Sequence, residues 1–190
     1  CLVMGAMYRV ATFVALQKET DDAKEIIEFI EKNPISFMNG QKGQEVLMGS
    51  ENVTEVIRTN EVTNTVSKIS AMTEIREFMV AEQQRIAKNG GIIMDGRDIG
   101  TVVLPKADLK IFLVASVDER AERRYKENLS KGIPTDLERL KIEISERDRK
   151  DSTRAISPLK QAEDAILLDS TGKTINEIVQ FIEDKAKELM

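Results

Sequence analysis

IIMDGRDIGT, residues 92–101, sets three apolar side chains directly before two carboxylates and a guanidinium. The apolar triplet predicts a buried strand over residues 92–94. In open parallel sheets, ligands bind at the carboxyl ends of the strands, which is where Asp95, Arg97 and Asp98 would lie. The two glycines of the stretch leave the backbone free to turn and to approach a ligand. The stretch therefore predicts an α/β fold with a ligand site at this strand end, rather than a charged run that only contacts water.

An apolar strand followed by acids and Gly-Thr also resembles the haloacid-dehalogenase-type phosphatases. Those enzymes need acids at positions i and i+2, so that both carboxyl groups point to one face. Here position i+2 after Asp95 is Arg97, and the second acid, Asp98, is at i+3. Because an arginine cannot act as the acid or base at neutral pH, the spacing argues against that class.

The composition excludes several kinds of chemistry. The 190 residues contain no histidine and one cysteine, Cys1, and they carry a net charge of −5. Histidine acid–base catalysis and histidine metal ligation are therefore excluded, and the net charge argues against general nucleic-acid binding. No apolar run reaches the roughly 18 residues of a membrane span, and no signal-peptide pattern opens the chain. A single cysteine suits a reducing compartment, so we expect a cytoplasmic protein that contacts no membrane.

Hydrophobic periodicity predicts alternating helices and strands in one α/β domain with a small insert. The predicted helices cover residues 5–19, 21–33, 59–88 with a break near Ala71, 116–131, 135–151 and a last segment from residue 174. The predicted strands cover residues 92–94, 109–115 and 165–170. Because continuous apolar strands alternate with helices, we expect a parallel sheet with helices on both faces. Glycine turns within residues 35–55 predict antiparallel hairpins inserted into this frame.

Two of the predicted helices begin with a hydroxyl residue and carry a glutamate three positions later, the spacing of a capping box. The pairs are Ser116 with Glu119 and Thr174 with Glu177. The helix after Thr174 is also amphipathic, because four apolar residues share one of its faces. These four are Ile175, Ile178, Val179 and Ile182.

Three arginines share one face of the helix predicted after residue 116, since Arg120, Arg123 and Arg124 lie at positions i, i+3 and i+4. Guanidinium groups on one face can hold phosphate oxygens in bidentate pairs. Ion pairing with glutamates of the same helix explains the spacing equally well, the candidates being Glu119, Glu122 and Glu127. The flanking Gly132 would let this helix move as a lid that excludes water during phosphoryl transfer.

A second charged face follows in ERDRKDSTR, residues 146–154. Arg147, Asp151 and Arg154 fall at positions i, i+4 and i+7, again on one side of a helix. An aspartate between two arginines could orient them or bind ribose hydroxyls. A solvated helix end is an equally good interpretation of the pattern.

These stretches, together with GAMYR (residues 5–9) and IRTNEVTNTVSKIS (residues 57–70), resemble the bacterial cytidylate kinases. The resemblance extends over nearly the whole chain, and the DGRDIGT stretch and the later ERD…D…R series occur together and in order. It implies the fold of the nucleoside monophosphate kinases, a P-loop NTPase-like parallel sheet with helices on both faces. It further implies core segments at residues 1–25 and 86–190, an NMP-binding insert at residues 26–85, and a short lid at about residues 118–134.

The resemblance implies transfer of the γ-phosphate of ATP to CMP or dCMP, giving CDP or dCDP in pyrimidine metabolism, with Mg²⁺ assisting. The implied partners are therefore small molecules, with no nucleic acid and no membrane, and the complete protein is expected to be a monomer. The implied catalytic residues are Asp95, Arg97, Arg123 and Arg124. The implied substrate-binding residues are Arg9, Ser67, Arg76, Arg97, Asp98, Arg147, Asp151 and Arg154.

Each implied residue has an expected role. The residues that would recognise the cytosine are Ser67, Arg76 and Asp98, and those that would hold the CMP phosphate are Arg9, Arg97 and Arg154. Those expected near the sugar are Arg147 and Asp151, while Asp95, Arg123 and Arg124 would face the phosphates being transferred. Direct metal ligands are not implied beyond a place for Mg²⁺ near Asp95.

The chemistry of the base agrees with the role of Asp98. Cytosine presents an N4 amino donor, from which a carboxylate accepts. Uracil has an oxygen at that place, so Asp98 would face an acceptor with an acceptor. A buried polar mismatch costs about 1–3 kcal/mol, and we therefore expect CMP to be preferred over UMP.

The resemblance also leads us to expect a Gly-rich phosphate loop of the form G-x-x-x-x-G-K-[ST]. No segment of the 190 residues matches this motif. Val3 and Met4 stand where an acid and a hydroxyl residue are usual in the family. We therefore expect that these 190 residues are a truncated form that binds ATP poorly, turns over little and self-associates to cover exposed strand edges. Two alternatives stay open: a non-catalytic CMP-binding scaffold, and a kinase for another nucleoside monophosphate such as UMP or dTMP.

Overall fold

The computed structural model describes residues 2–40 and 43–189. Cys1, on which the expectation of a reducing compartment depends, lies outside the described residues. The chain divides into two compact units, Cys1–Ile99 and Gly100–Met190. Each unit contains one pair of parallel strands and several helices, which confirms the predicted α/β class.

Four helices form most of the first unit: α1 (Gly5–Gln17), α2 (Ala23–Lys32), α3 (Asn60–Ile69) and α4 (Thr73–Ala87). The central helix is α1, in which Val10 and Val14 are fully buried. It packs against α2, α3 and a 3-10 turn at Val56–Arg58. Helix α2 begins where the Asp22 carboxylate accepts the Lys24 amide at 2.8 Å, which satisfies one of the free N–H groups of the first turn. The predicted break near residue 71 is confirmed by the gap between α3 and α4.

The strands of the first unit form two small sheets. β1 (Leu2–Val3) pairs in parallel with β5 (Met94–Asp95), whereas β2 (Ile35–Gly40), β3 (Gly43–Met48) and β4 (Glu51–Asn52) form an antiparallel sheet. The predicted hairpins are therefore confirmed. Ile35, Val46 and Met48 are buried on the sheet face that joins the core around α1.

The strand predicted at residues 92–94 is shorter and less buried than expected. Only Met94–Asp95 pairs with β1, and the side chain of Ile93 is 65% exposed. Gly90 and Gly91, which both have positive φ, directly precede this segment. The strand itself begins only at Met94. Residues 92 and 93 therefore precede the strand, and its carboxyl end lies one residue later than the sequence predicts.

The second unit consists of β6 (Ile111–Val114), α5 (Val117–Ser130), α6 (Leu137–Thr153), β7 (Ile166–Asp169) and α7 (Ile175–Lys187). β6 and β7 are parallel, with Ile111 opposite Ile166. The Ser116 hydroxyl accepts the Glu119 amide at the start of α5. Thr174 and Glu177 form the complete reciprocal capping box at the start of α7.

The apolar residues of the second unit are less covered than expected. Leu113 on β6 and Leu167 on β7 are both more than half exposed, and so is Ile175 on the apolar face of α7. The sheet is narrow, because it consists of two strands of four residues each. Neither this sheet nor α7 is covered over its full width. These side chains are exposed, while the parallel pairing and the helices agree with the predicted α/β fold.

The boundary between the compact units falls within a π-helical segment, Ile99–Val103, that directly follows Asp98. The predicted division into core, insert and lid stays a prediction. Across the part of the chain that the structure describes, no helix has both the length and the hydropathy that crossing a bilayer requires.

Candidate active site

A buried ion pair forms the centre of the candidate site in the first unit. Nη2 of Arg76, on α4, lies 2.5 Å from Oδ2 of Asp98, just after β5. The two side chains are 3% and 4% exposed. Charges are placed at such depth only when paired, because desolvating an isolated ion costs several kcal/mol.

The remaining contacts of Arg76 fix its guanidinium within the site. Nη1 donates to the Ser70 carbonyl at 2.9 Å, and the guanidinium carbon lies 5.1 Å from the centre of the Tyr8 ring. Ser67 joins this arrangement indirectly, because its carbonyl accepts the Ser70 hydroxyl at 3.4 Å. Within the described residues, the buried Nε of Arg76 has no hydrogen-bond partner. A buried donor of this kind calls for a partner such as an ordered water.

Arg9 is anchored elsewhere in the same unit. Its Nη1 donates to the Ile57 carbonyl at 3.0 Å and to Oγ1 of Thr63 at 2.9 Å. These bonds join α1 to the 3-10 turn and to α3. The guanidinium is half-buried and fixed in direction before any ligand is present.

The end of β5 also carries two charged side chains that are open to water. Asp95 and Arg97 are both exposed, on either side of Gly96. A Cβ at Gly96 would come within 2.9 Å of the Ile99 side chain, so a larger residue here would require the end of that side chain to shift. Asp98 is buried, although Arg97 directly before it is exposed. Of the three charges predicted at this strand end, one is therefore inside the protein and two are at its surface.

In the second unit, the arginines of α5 do not act as one group. Arg120 forms a bidentate pair with Asp148 of α6, with N–O distances of 2.9 and 2.5 Å. Arg123 donates from Nε to Glu119 at 2.8 Å, and from Nη2 to the Ser170 carbonyl at 2.8 Å. The glutamate-pairing alternative therefore holds for Arg123, whereas Arg120 ties two helices together.

Arg124 is exposed and has mainly an electrostatic effect on its surroundings. The Lys131 ammonium, hydrogen-bonded to Glu127, lowers the pKa of that carboxyl below its usual value. The charge of Arg124 adds a smaller contribution in the same direction. Its guanidinium is thus accessible to a phosphate, as its predicted role requires.

At the end of α6, Arg147 and Asp151 share one helix face as their spacing predicts, whereas Arg154 lies just beyond the helix end in extended backbone. Asp151 lies between the two arginines, 3.9 Å from Nε of Arg147 and 3.7 Å from Nη1 of Arg154. Nε of Arg154 also donates to the Ser157 carbonyl at 2.6 Å. The site role of this cluster stays a prediction.

Several contact residues could not be found by sequence reasoning. Tyr8 and Thr63 touch predicted site arginines from distant parts of the chain. Ser70 lies six positions before Arg76, and Ser170, just after β7, touches Arg123. Motif signals were available for Tyr8, beside Arg9 in the GAMYR stretch, and for Thr63 and Ser70, which lie in the IRTNEVTNTVSKIS stretch.

A metal ion bound here would need some of its oxygen ligands from a bound nucleotide. Residues 2–40 and 43–189 contain no cluster of three or more histidine, cysteine, aspartate or glutamate side chains able to hold one. Magnesium in phosphoryl-transfer sites is commonly bound by one or two carboxylates together with substrate phosphates. The single exposed carboxylate of Asp95 fits a magnesium ion that arrives with a nucleotide.

Comparison with known proteins agrees with the resemblance. A family model described as cytidylate kinase matches residues 1–188. A cytidylate kinase of Lactococcus lactis subsp. cremoris (strain MG1363) is 85% identical over 186 residues, which cover 98% of this chain and 84% of that protein. Cytidylate kinases of Streptococcus sanguinis (strain SK36) and Streptococcus pyogenes serotype M6 (strain ATCC BAA-946 / MGAS10394) are 59% and 61% identical over 189 residues, with the same coverage. The chain therefore belongs to the cytidylate kinase family of nucleoside monophosphate kinases.

Proposed function

We propose that the protein transfers the γ-phosphate of ATP to CMP or dCMP, and that Arg76 and Asp98 recognise the cytosine. The buried Arg76–Asp98 pair carries this proposal. A carboxylate can accept from the N4 amino group of cytosine, while a guanidinium can donate to N3 and O2. Oδ2 of Asp98 already accepts from Arg76, and a carboxylate has lone pairs for several donors.

Arginines would hold the CMP phosphate. Arg9 and Arg154 are each fixed by protein contacts, and Arg97 is exposed at the strand end. Fixed guanidinium groups bind phosphate without losing much side-chain entropy on binding. Asp151, with Arg147 beside it, would lie near the sugar.

Phosphoryl transfer mainly requires positioning and neutralisation of charge. The exposed Arg123 and Arg124 would contact the transferring phosphates, so a chain without histidine can perform the reaction. Asp95 would hold a magnesium ion together with phosphate oxygens of ATP, and that ion would neutralise negative charge on the phosphates.

Calorimetric titration of the protein with CMP and with UMP tests the recognition of the base. We expect wild type to prefer CMP, and Asp98→Asn to reduce that preference by roughly 5- to 150-fold, because an amide can satisfy either base edge. Glu82→Gln is the matched control, since Glu82 forms a surface ion pair with Arg85 on the helix that carries Arg76. An unchanged preference in Asp98→Asn would remove Asp98 from base recognition.

Turnover is a separate question. Low turnover by these 190 residues stays a prediction, tested by steady-state assays with MgATP and CMP. Rates within about tenfold of the usual kinase range of roughly 1–100 s⁻¹ would contradict it. Binding of CMP without binding of ATP would support the scaffold alternative. The cytoplasmic location and the oligomeric state also stay predictions.

A further inference from the structure

Ser157 has an unusual backbone conformation. Within the described residues, only Ser157 (φ 50°) and Glu19 (φ 51°) combine a side chain with positive φ. This region is sterically unfavourable for residues that have a Cβ. Each case therefore needs a compensating interaction.

The conformation of Glu19 is explained by the end of a helix. Its amide donates to the Leu16 carbonyl at 3.2 Å, and the Thr20 amide donates to the Ala15 carbonyl at 3.0 Å. These bonds close the last turn of α1 in the usual left-handed cap. Glu19 needs no further role.

Ser157 has no such explanation. Helix α6 ends at Thr153, and the next residue, Arg154, is already extended, with φ −64° and ψ 145°. A proline follows Ser157, which restricts its backbone further. What the left-handed turn does is place the Ser157 carbonyl oxygen 2.6 Å from Nε of Arg154.

The loop closes on itself around this contact. The Leu159 amide donates to the Asp151 carbonyl at 2.8 Å, which returns the chain to the end of α6. The guanidinium of Arg154 is then held at Nε by Ser157, with Nη1 facing Oδ1 of Asp151 at 3.7 Å. The side chains of Arg154 and Asp151 are both largely buried.

We infer that Ser157 is a positioning residue, whose left-handed backbone orients the Arg154 guanidinium for a nucleotide phosphate. The contact uses the backbone carbonyl, so the serine hydroxyl is not needed for it. Strained backbone of this kind is retained where the surrounding structure makes use of it. The inference rests on the proposed function, in which Arg154 holds the CMP phosphate.

Two substitutions separate the backbone from the side chain. Ser157→Gly keeps the left-handed turn without strain and removes the hydroxyl, so we expect it to bind CMP about as tightly as wild type. Ser157→Val strongly disfavours positive φ, because valine is β-branched. Loss of the fixed guanidinium should then raise the Kd for CMP by about tenfold, the equivalent of one weakened charged hydrogen bond.

Glu19→Gly and Glu19→Val are the matched controls. They make the same changes at the other left-handed position, where the structure indicates only a helix cap. We expect both to bind CMP like wild type, although Glu19→Val should lower the melting temperature. Titration calorimetry gives the Kd, and circular dichroism shows that each variant is folded. A Ser157→Val protein with the wild-type Kd would overturn the inference.

Arginine-detected NMR gives a second readout that needs no ligand. The Nε proton of Arg154 should exchange slowly with water in wild type and in Ser157→Gly, and faster in Ser157→Val. Failure of wild type to bind CMP would reject the proposed function. The exchange rate of the Arg154 Nε proton would still test whether Ser157 positions the guanidinium. Equal Nε exchange rates in wild type, Ser157→Gly and Ser157→Val would overturn the positioning role of Ser157. Faster exchange in Ser157→Val alone would support that role.

Discussion

Substitution of Asp98 by asparagine is expected to destabilise the first unit by about 3 kcal/mol. Removing one partner of a buried ion pair typically costs about 3–5 kcal/mol, because the other charge stays buried without compensation. Here Arg76 would keep its bond to the Ser70 carbonyl and its contact with the Tyr8 ring. The asparagine carbonyl can still accept from Nη2. These remaining interactions place the expected loss at the lower end of the range.

The pair formed by Arg85 and Glu82 provides the control on the same helix. Arg85 and Glu82 make three N–O contacts, at 3.1, 3.1 and 2.8 Å, while Nη2 of Arg76 lies 2.5 Å from Oδ2 of Asp98. Arg85 is 61% exposed, however, and exposed pairs contribute at most about 1 kcal/mol. If burial decides the cost, Glu82→Gln should lower the free energy of unfolding far less than Asp98→Asn.

Urea unfolding followed by far-ultraviolet circular dichroism measures both losses. Because the chain forms two compact units, each unfolding transition is fitted separately. The burial argument would be refuted if Asp98→Asn lost no more free energy of unfolding than Glu82→Gln.

Three further substitutions test other parts of the structure. Gln83→Met should stabilise the protein by about 1–3 kcal/mol, because the described residues offer no hydrogen-bond partner to either buried amide atom; a loss measured in urea would instead indicate a bridging buried water. A hydrogen bond from Lys110 lowers the pKa of Asp164 below its unfolded value, so the pair stabilises above about pH 4 and this contribution is lost as the pH falls through the folded pKa. Asp164→Asn should therefore make stability less sensitive to acid, and identical slopes of stability against pH below about pH 4 would contradict this. Thr174→Ala should cost about 1 kcal/mol by opening the capping box with Glu177, and an unchanged thermal melt would show that α7 does not depend on it.

Helix positions could be predicted from the sequence because their signals are local. Asp22, Ser116 and Thr174 each accept an amide of the following turn, and each precedes a helix that periodicity had predicted. The strand at residues 92–94 was predicted one to two residues too early. Its apolar run began before the backbone paired, and pairing with β1 depends on residues far away in the sequence.

The candidate site could be predicted only in part, for the same reason. Spacing along one helix was sufficient to bring Arg147 and Asp151 together, whereas Arg154 lies one residue beyond the helix and approaches Asp151 from extended backbone. Spacing could not show that Arg120 belongs to Asp148, which lies on another helix. Nor could it show that Arg76 and Asp98, which are 22 positions apart, form one buried pair.

That pair links recognition to folding. If the proposed recognition is correct, the carboxylate that accepts from the cytosine amino group also neutralises a buried cation of the fold. Asp98→Asn would then lower both the stability of the first unit and the preference for CMP. The two effects can be separated, because base preference is a ratio of affinities and an unfolded fraction weakens binding of CMP and UMP equally. A preference that falls while Glu82→Gln leaves it unchanged would therefore report on the base contact itself, whatever the loss of stability.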